Sequence, residues 1–493
     1  MENSKFYITT AIPYVNAAPH IGFALEVVQA DVLARYHRLV GDDTYFLTGT
    51  DENALKNVQA AEEAGEEVET FVDRNSKRFK DLKGALNLSF DDFIRTTEDR
   101  HIKGAQKFWN SCNPEDIYKK KYRGLYCVGC EEFKKGKDLV GGKCPEHNTL
   151  CEDVEEENYF FRLSEYQSQL KNLIEKDELK IVPETRKNEV LSFINQGLED
   201  FSISRSVERA QGWGIPVPGD NTQIMYVWFD ALTNYLTGLG YAEAGKLFKK
   251  FWLDNPNRVH MIGKGILRFH AIYWPAMLLS AKLPLPKEIF VHGYLTIEGQ
   301  KISKSQERAL RRKGLGNVVD PFALVEKYGA DPLRYYLLAK FSPFEDGDFS
   351  KSHFEEVYNS DLANGLGNLV SRVAKLCEGI PISDNLNPKL ITDINTASGK
   401  LQTLYSKAVE NYRFDEALKL IWSEIKIVDQ SINSKKPWKL KGRELEKEMQ
   451  AAVDVIRLLN VKLEPFLPET AEKIKKQFSG KIAPAQPLFP RLG

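Results

Sequence analysis

Phe6-Tyr7-Ile8-Thr9-Thr10-Ala11-Ile12 is a β-branched and aromatic run that stops at Pro13. That is the composition of a strand with a breaker behind it. After it, Ile21, Leu25, Val28, Val32, Tyr36 and Leu39 recur at steps of three and four. They form one face of a helix, and Gly41 follows as a C-terminal cap. Thr44-Tyr45-Phe46-Leu47-Thr48 reads as a second strand leading into Gly49-Thr50-Asp51, and Asp92-Phe93-Ile94-Arg95 as a short third. Strands joined by long helical crossovers favour a parallel, doubly wound α/β sheet over a mixed α+β fold.

Outward from this start the pattern breaks. Residues 119–158 are rich in Lys, Gly, Glu and Cys with little periodicity, which predicts a small metal-supported insertion. Strands are expected again at Met225-Tyr226-Val227-Trp228-Phe229, Val259-His260-Met261-Ile262-Gly263 and Ile289-Phe290-Val291-His292-Gly293-Tyr294-Leu295, so the sheet is split by the insertion. From about Asp320 the chain reads as helical. The expected layout is a nucleotide-binding half over 1–115, a connective insertion over 116–224 and the second half over 225–300. A loop and stem-contact region follows over 301–352, then an all-α domain over 353–493.

A length of 493 residues allows about three domains. No apolar run approaches the roughly 18–20 residues of a membrane span, and no secretory or transit segment opens the chain, so a cytoplasmic protein is expected. The net charge of −1 excludes a globally basic nucleic-acid binder but not a local basic patch. Six cysteines are too few for a disulfide scaffold. Four of them, Cys127, Cys130, Cys144 and Cys151, fall within 25 residues, which points to metal.

Several clusters carry chemistry. Pro19-His20-Ile21-Gly22 lies where the first helix begins, and a helix N-terminus offers unpaired N–H groups to a phosphate. Lys301-Ile302-Ser303-Lys304-Ser305 places two ammonium groups three residues apart, suited to a polyphosphate. Each pattern alone also fits an ordinary turn or a solvated basic loop. Cys127-Val128-Gly129-Cys130 with Cys144-Pro145-Glu146-His147 gives four tetrahedral zinc ligands on two knuckle turns, with Cys151 competing for the fourth position. Cys112 and Cys377 stand apart and read as buried thiols. Leu362, Leu366, Leu369, Val373 and Leu376 form an apolar stripe, and Asn364, Asn368 and Arg372 a separate polar row at steps of four. Trp438 sits among five basic residues between Lys435 and Arg443. An aromatic side chain in a basic cluster is how unstacked RNA bases are held.

His20-Ile21-Gly22-Phe23 resembles the HIGH signature, and Lys301-Ile302-Ser303-Lys304-Ser305 the KMSKS signature, of class I aminoacyl-tRNA synthetases. Ala11-Ile12-Pro13-Tyr14-Val15-Asn16, Gly49-Thr50-Asp51-Glu52, Tyr226-Val227-Trp228-Phe229-Asp230-Ala231, Ile262-Gly263-Lys264 and the closing Pro487-Leu488-Phe489-Pro490-Arg491 resemble the methionyl-tRNA synthetase family nearly end to end. The resemblance implies a split Rossmann-like domain, a zinc-bearing insertion of the single-zinc bacterial type and an anticodon-binding helical bundle. It implies activation of L-methionine by ATP with Mg²⁺, then transfer to the 3′-terminal adenosine of a tRNA with a CAU anticodon. The different-class alternative is a tRNA-binding paralogue without catalysis.

By resemblance His20, Lys301, Lys304 and Arg205 are catalytic. His20, Gly22, Phe23, Lys301, Ser303 and Lys304 bind ATP. Ile12, Tyr14, Asp51, Trp228, Ala231, Tyr235, Ile266, Phe269 and His270 line the methionine pocket. Asn368, Arg372 and Trp438 read the anticodon, and His147 is favoured as the fourth ligand of one structural zinc. Asp51 also fits a helix cap before Asn53-Ala54-Leu55, and Trp228, Ala231 and Tyr235 also fit a buried helix face. Four departures stand out. Phe23 replaces the signature's last histidine, Ile302 replaces methionine, Gly265 stands where the family has Asp, and Gln306–Gly314 adds nine residues before Leu315-Gly316-Asn317. The added stretch is basic and helix-prone, and is expected to extend a loop near ATP or the tRNA acceptor end. A monomer is expected, with no DNA or membrane partner.

Overall fold

The computed structural model describes residues 4–127, 132–134, 139–145, 149–297, 300–301, 319–385 and 399–493. The chain divides into two compact units. The first comprises residues 1–19, 41–81 and 90–292, and the second 20–40, 82–89 and 293–493.

The first unit is built on a six-stranded sheet. Its strands are β1 (Lys5–Thr10), β2 (Asp43–Thr50), β3 (Asp92–Arg95), β4 (Lys180–Val182), β5 (Arg258–Gly263) and β6 (Glu288–His292). Their spatial order is β3-β2-β1-β5-β6-β4, and all five neighbouring pairs run parallel. A parallel sheet is covered on both faces, so its strands read as continuous apolar runs. Accordingly Phe6 to Thr10 and all six residues of β5 are buried. The polar side chains among them are paired: Thr10 Oγ1 lies 2.7 Å from Thr48 Oγ1, and Thr9 Oγ1 lies 2.7 Å from His260 Nδ1. The two halves of the sheet come from residues before and after the insertion, as expected. The edge strand β4 comes from inside the stretch read as insertion. Three residues are too short a run to give a periodic signal.

Two expected strands need correction. Met225–Phe229 is not a strand. Asp220–Met225 is the central strand of a small three-stranded antiparallel sheet, and a helix runs over Val227–Leu232. Tyr226 is the extended residue between them, and the β-rich composition of 225–229 hides the switch. The run Ile289–Leu295 is broken at Gly293, after which Leu295–Ile297 joins a different sheet. A side chain at Gly293 would meet the carbonyl oxygen of Glu345 at 1.8 Å, so the chain turns where only glycine fits.

The second unit holds the long helix α1 (Ile21–Leu39) together with the C-terminal helices. Asp31, fully buried on α1, pairs with Arg35 and Arg334 at 2.8 Å each and accepts from the Ser89 N–H and hydroxyl at 2.6 Å. Arg334 donates further to the carbonyls of Leu86, Pro465 and Phe466. Each of the three guanidinium nitrogens thus has a partner, which is what a buried charge requires. The guanidinium partners hold the Asp31 carboxyl below its usual range despite burial. Downstream helices span Asn368–Leu376, Phe414–Lys435, Gly442–Leu463 and Pro468–Gln477. No helix among the described residues is long and apolar enough to cross a membrane.

Candidate active site

The loop after β2 is fixed by its own polar groups. Asp51 does not cap a helix, because the next helix begins at Leu55 with no side-chain cap. Instead Asp51 Oδ1 accepts from the Asn53 backbone N–H at 3.2 Å, and its carbonyl accepts from Asn57 Nδ2 at 3.1 Å. Glu52, fully buried, takes Arg95 through two hydrogen bonds of 2.7 and 2.9 Å and Thr50 Oγ1 at 2.9 Å. Its backbone carbonyl accepts from Trp213 Nε1 at 2.8 Å. Asn53 Nδ2 reaches Asp230 Oδ2 at 3.2 Å. The other Asp230 oxygen is buried without a hydrogen-bond partner, and burial pushes this carboxyl well above its ordinary range despite Arg205 nearby. Arg205 lies in the short strand Ser204–Ser206, buried, with its guanidinium 5.5 Å from the centre of the Tyr226 ring. Glu52, Asn53 and Asp230 had no role assigned from sequence, although Glu52 and Asp230 lie inside the motifs that were quoted.

An aromatic cluster, called the chamber below, lies in the same unit. Trp228 stacks flat on Phe269, with centroids 3.9 Å apart and planes 4° from parallel, and meets Tyr14 edge-on at 6.4 Å. Tyr14 forms an isolated parallel bridge with Asp51. Ile12, Tyr14, Trp228 and Ile266 pack half-buried against the core, while Ala231, Tyr235, Phe269 and His270 are buried. Phe201 and Tyr273, which sequence reasoning missed, stack at 4.2 Å, and Tyr273 meets Phe269 edge-on at 5.2 Å.

The hydrogen-bond pattern fixes the protons. A carbonyl can only accept, so the 3.0 Å contact between His270 Nδ1 and the Ile266 carbonyl makes Nδ1 the protonated nitrogen. Nε2 then accepts from the Tyr235 hydroxyl at 2.7 Å. Burial pushes the His270 imidazole down to about 4, so it is neutral near pH 7. The chamber therefore holds a neutral polar pair at one end and flat aromatic walls around it. That environment suits a soft, weakly accepting thioether.

In the second unit, His20 caps α1. Its Nδ1 accepts the Gly22 N–H at 3.0 Å, which leaves the proton of the neutral ring on Nε2. A side chain at Gly22 would come within 2.9 Å of His20 Cε1, so this glycine keeps the cap in place. Phe23 is buried on α1. Lys301 falls in the two-residue strand Gln300–Lys301, paired with Leu295–Ile297. Ser303, Lys304 and the Gln306–Gly314 segment lie outside the described residues.

Farther along that unit, Asn364 and Asn368 are exposed while Leu362, Leu366, Leu369 and Val373 are buried, so the two stripes separate as the spacing implies. Arg372 donates to Asn433 Oδ1 at 3.1 Å and pairs with Asp429 at 3.2 Å. Five residues after Asn433, Trp438 occupies a single turn over Pro437–Lys439 and is 54% exposed. In the insertion, Cys127 and Cys144 are buried and Cys151 is half-buried. Burial and the neighbouring Cys127 and Cys144 raise the Cys151 thiol. Cys130 and His147 lie outside the described residues, and among those described no three His, Cys, Asp or Glu side chains form a metal-holding group.

Comparison with known proteins places this geometry. The sequence profile described as tRNA synthetases class I (M) matches residues 6–154 and 147–374. The methionine–tRNA ligase of Brucella suis biovar 1 is 41% identical over 523 aligned residues, covering 100% of this chain and 98% of that protein. The chain belongs to the methionyl-tRNA synthetases. The Clostridium acetobutylicum methionine–tRNA ligase is 40% identical, and there the match covers 79% of the relative. The Mycobacterium tuberculosis methionyl-tRNA synthetase, solved with methionyl-adenylate, superposes with a TM-score of 0.86 at 37% identity over 99% of both chains. The activity of the family is methionine activation and tRNA charging, and it is the activity of this chain.

Proposed function

We propose the following division of labour for methionine activation and transfer. The observation that carries it is the buried, neutral Tyr235–His270 pair at the end of the aromatic chamber. The methionine side chain enters between Trp228 and Tyr14, with Ile12, Ala231, Ile266 and Phe269 closing around it. Its sulfur meets the Tyr235 hydroxyl, whose one proton then turns from His270 Nε2 to the weakly accepting sulfur, and its ammonium group pairs with Asp51.

The carboxylate of methionine then attacks the α-phosphorus of ATP. The new bond is carboxyl oxygen to phosphorus, and the bond to the pyrophosphate oxygen breaks. The nucleophile is already ionised, so no general base is needed. Positioning and charge stabilisation supply the rate. His20 donates from Nε2 to a phosphate oxygen, with Gly22 and Phe23 beside it at the head of α1. Lys301, Ser303 and Lys304 hold the phosphates, and Arg205 neutralises charge near the reacting groups. Mg²⁺ carried in with ATP supplies positive charge to the departing pyrophosphate. In the second step the terminal adenosine's 2′-hydroxyl attacks the adenylate carbonyl and AMP leaves. Asn368, Arg372 and Trp438 take a CAU anticodon, the bases stacking on the exposed indole.

Cys127, Cys130 and Cys144, with His147 or Cys151, would hold one zinc ion that ties the insertion's knuckles together. The nearness of the Cys127, Cys144 and Cys151 thiols supports that reading. The catalytic halves are 1–115 and 225–300, flanking the connective insertion 116–224. The lysine-loop region 301–352 and the anticodon domain 353–493 follow. The protein acts in the cytoplasm as a monomer, which sedimentation at micromolar concentration checks.

The direct test is methionine-dependent exchange of pyrophosphate into ATP with Lys304→Ala beside the wild type. A fall of about 10²-fold or more is expected, the scale of losing one transition-state charge donor. Equal rates would remove Lys304 from the mechanism.

A further inference from the structure

His260 is a fully buried titratable group to which the steps above give no work. It lies on β5, directly across the ladder from Thr9 of β1. Its Nε2 lies 3.2 Å from Trp274 Nε1. An indole N–H can only donate, so Nε2 accepts and the ring proton sits on Nδ1. That proton goes to Thr9 Oγ1 at 2.7 Å. Both nitrogens are therefore committed and the tautomer is fixed. Burial, with His270 and Arg258 nearby, keeps the ring neutral. Proton transfer is not available to it.

What His260 offers is its flat face. The Tyr235 ring lies against it with centroids 4.1 Å apart and planes 28° from parallel. Tyr235 is otherwise tied at its two ends, by the Tyr7 hydroxyl donating to its backbone carbonyl at 2.8 Å and by its own hydroxyl donating to His270. His270 and Trp274 meet the same buried ring at 5.8 and 6.0 Å, each tilted by 57°, whereas the imidazole lies along its face. The imidazole thereby sets the plane of the ring, and Trp274 and Thr9 hold the imidazole. A recognition group placed within a fraction of an ångström needs such a second layer, because small displacements at a site cost large factors in rate.

We propose that His260 is a positioning residue for the reading of the methionine sulfur, acting through the Tyr235 ring it stacks upon. This rests on the reading that the Tyr235 hydroxyl meets the thioether. The readout is selectivity between methionine and norleucine, which replaces sulfur by a methylene, measured as the ratio of kcat/KM values in pyrophosphate exchange. Loss of general stability moves both amino acids together and leaves the ratio unchanged.

His260→Leu removes the flat face. It is expected to lower the methionine-to-norleucine ratio by about 10-fold, through KM for methionine, with KM for ATP unchanged. His260→Phe keeps a flat face but leaves the Thr9 hydroxyl and the Trp274 N–H unpaired. It is expected to melt earlier yet keep the ratio within about twofold. Thr9→Val keeps the shape of residue 9 and frees the imidazole to turn, with about a threefold loss of ratio expected. If His260→Leu does not fold, Thr9→Val carries the test alone.

An unchanged ratio in both His260→Leu and Thr9→Val, or a ratio lost equally in His260→Phe and His260→Leu, overturns the proposal. Tyr235→Phe separates the two layers. If removing that hydroxyl leaves the ratio intact, the thioether reading itself has failed, whatever the His260 variants do.

Discussion

On the proposed division of labour, the methionine chamber and the face around Trp438 would recognise their targets by opposite physics. In the chamber each polar atom of Tyr235, His260 and His270 has its partner inside the protein, and all three rings are buried. Around Trp438 the indole stands in solvent beside lysines and an arginine. A small apolar substrate yields little binding energy, so selectivity comes from fixed geometry in a dry site. An RNA loop brings phosphates and unstacked bases. For these, exposed charge and a bare aromatic face suffice, without a preformed cavity.

The contrast has consequences that differ in size. Acid should separate the two regions most. His101, His260 and His270 are buried in the first unit with imidazoles pushed below their ordinary value, His101 to about 3 and His270 to about 4. Their stabilising contribution is complete above the unfolded value near 6.5 and is lost as pH falls below it, because the unfolded chain takes up protons that the folded one refuses. Each costs about 1.4 kcal/mol per pH unit in that window. Hydrogen exchange at pH 7 and 5.5 should show protection falling on β1 and β5 more than on the helices Phe414–Lys435 and Gly442–Leu463. An equal fall on both would mean that the buried histidines are not what acid attacks.

Next in size is Trp438→Ala. Losing one stacked base contact is worth about 1–3 kcal/mol. The kcat/KM for tRNA should fall by about 10- to 100-fold while pyrophosphate exchange stays within about twofold. Tyr235→Phe is the mirror experiment. It removes one buried hydrogen bond, worth about 1–1.5 kcal/mol, so KM for methionine should rise by about 10-fold with KM for tRNA unchanged. The smallest effect is that of salt. Raising it from 50 to 200 mM should weaken tRNA binding several-fold through counterion release and leave the methionine KM alone. A methionine KM that tracks salt would place the chamber in contact with solvent.

Much of this is legible in the amino-acid sequence. The strands β1 to β3 follow from their β-branched and aromatic composition and the helix over Ile21–Leu39 from its periodicity, because a buried parallel sheet and a long core-facing helix both write strong patterns. The stripe at Leu362, Leu366, Leu369 and Val373 is legible for the same reason. Three things were not. The strand at Lys180–Val182 is too short to carry a period. The turn from Met225 into the helix at Val227 is hidden because Val, Trp and Phe suit either state. The support around the chamber, Glu52, Asn53, Asp230, Phe201 and His260, was invisible because its meaning is in its partners. A buried histidine on a strand looks the same in sequence whether it packs idly or holds a tyrosine in place.

The most direct test pairs two assays on one variant. Trp438→Ala should charge tRNA poorly while supporting methionine-dependent pyrophosphate exchange at the wild-type rate. Two recognition regions with separate physics require that split. If exchange falls in parallel with charging in folded Trp438→Ala protein, the chamber is not the self-contained methionine site described above.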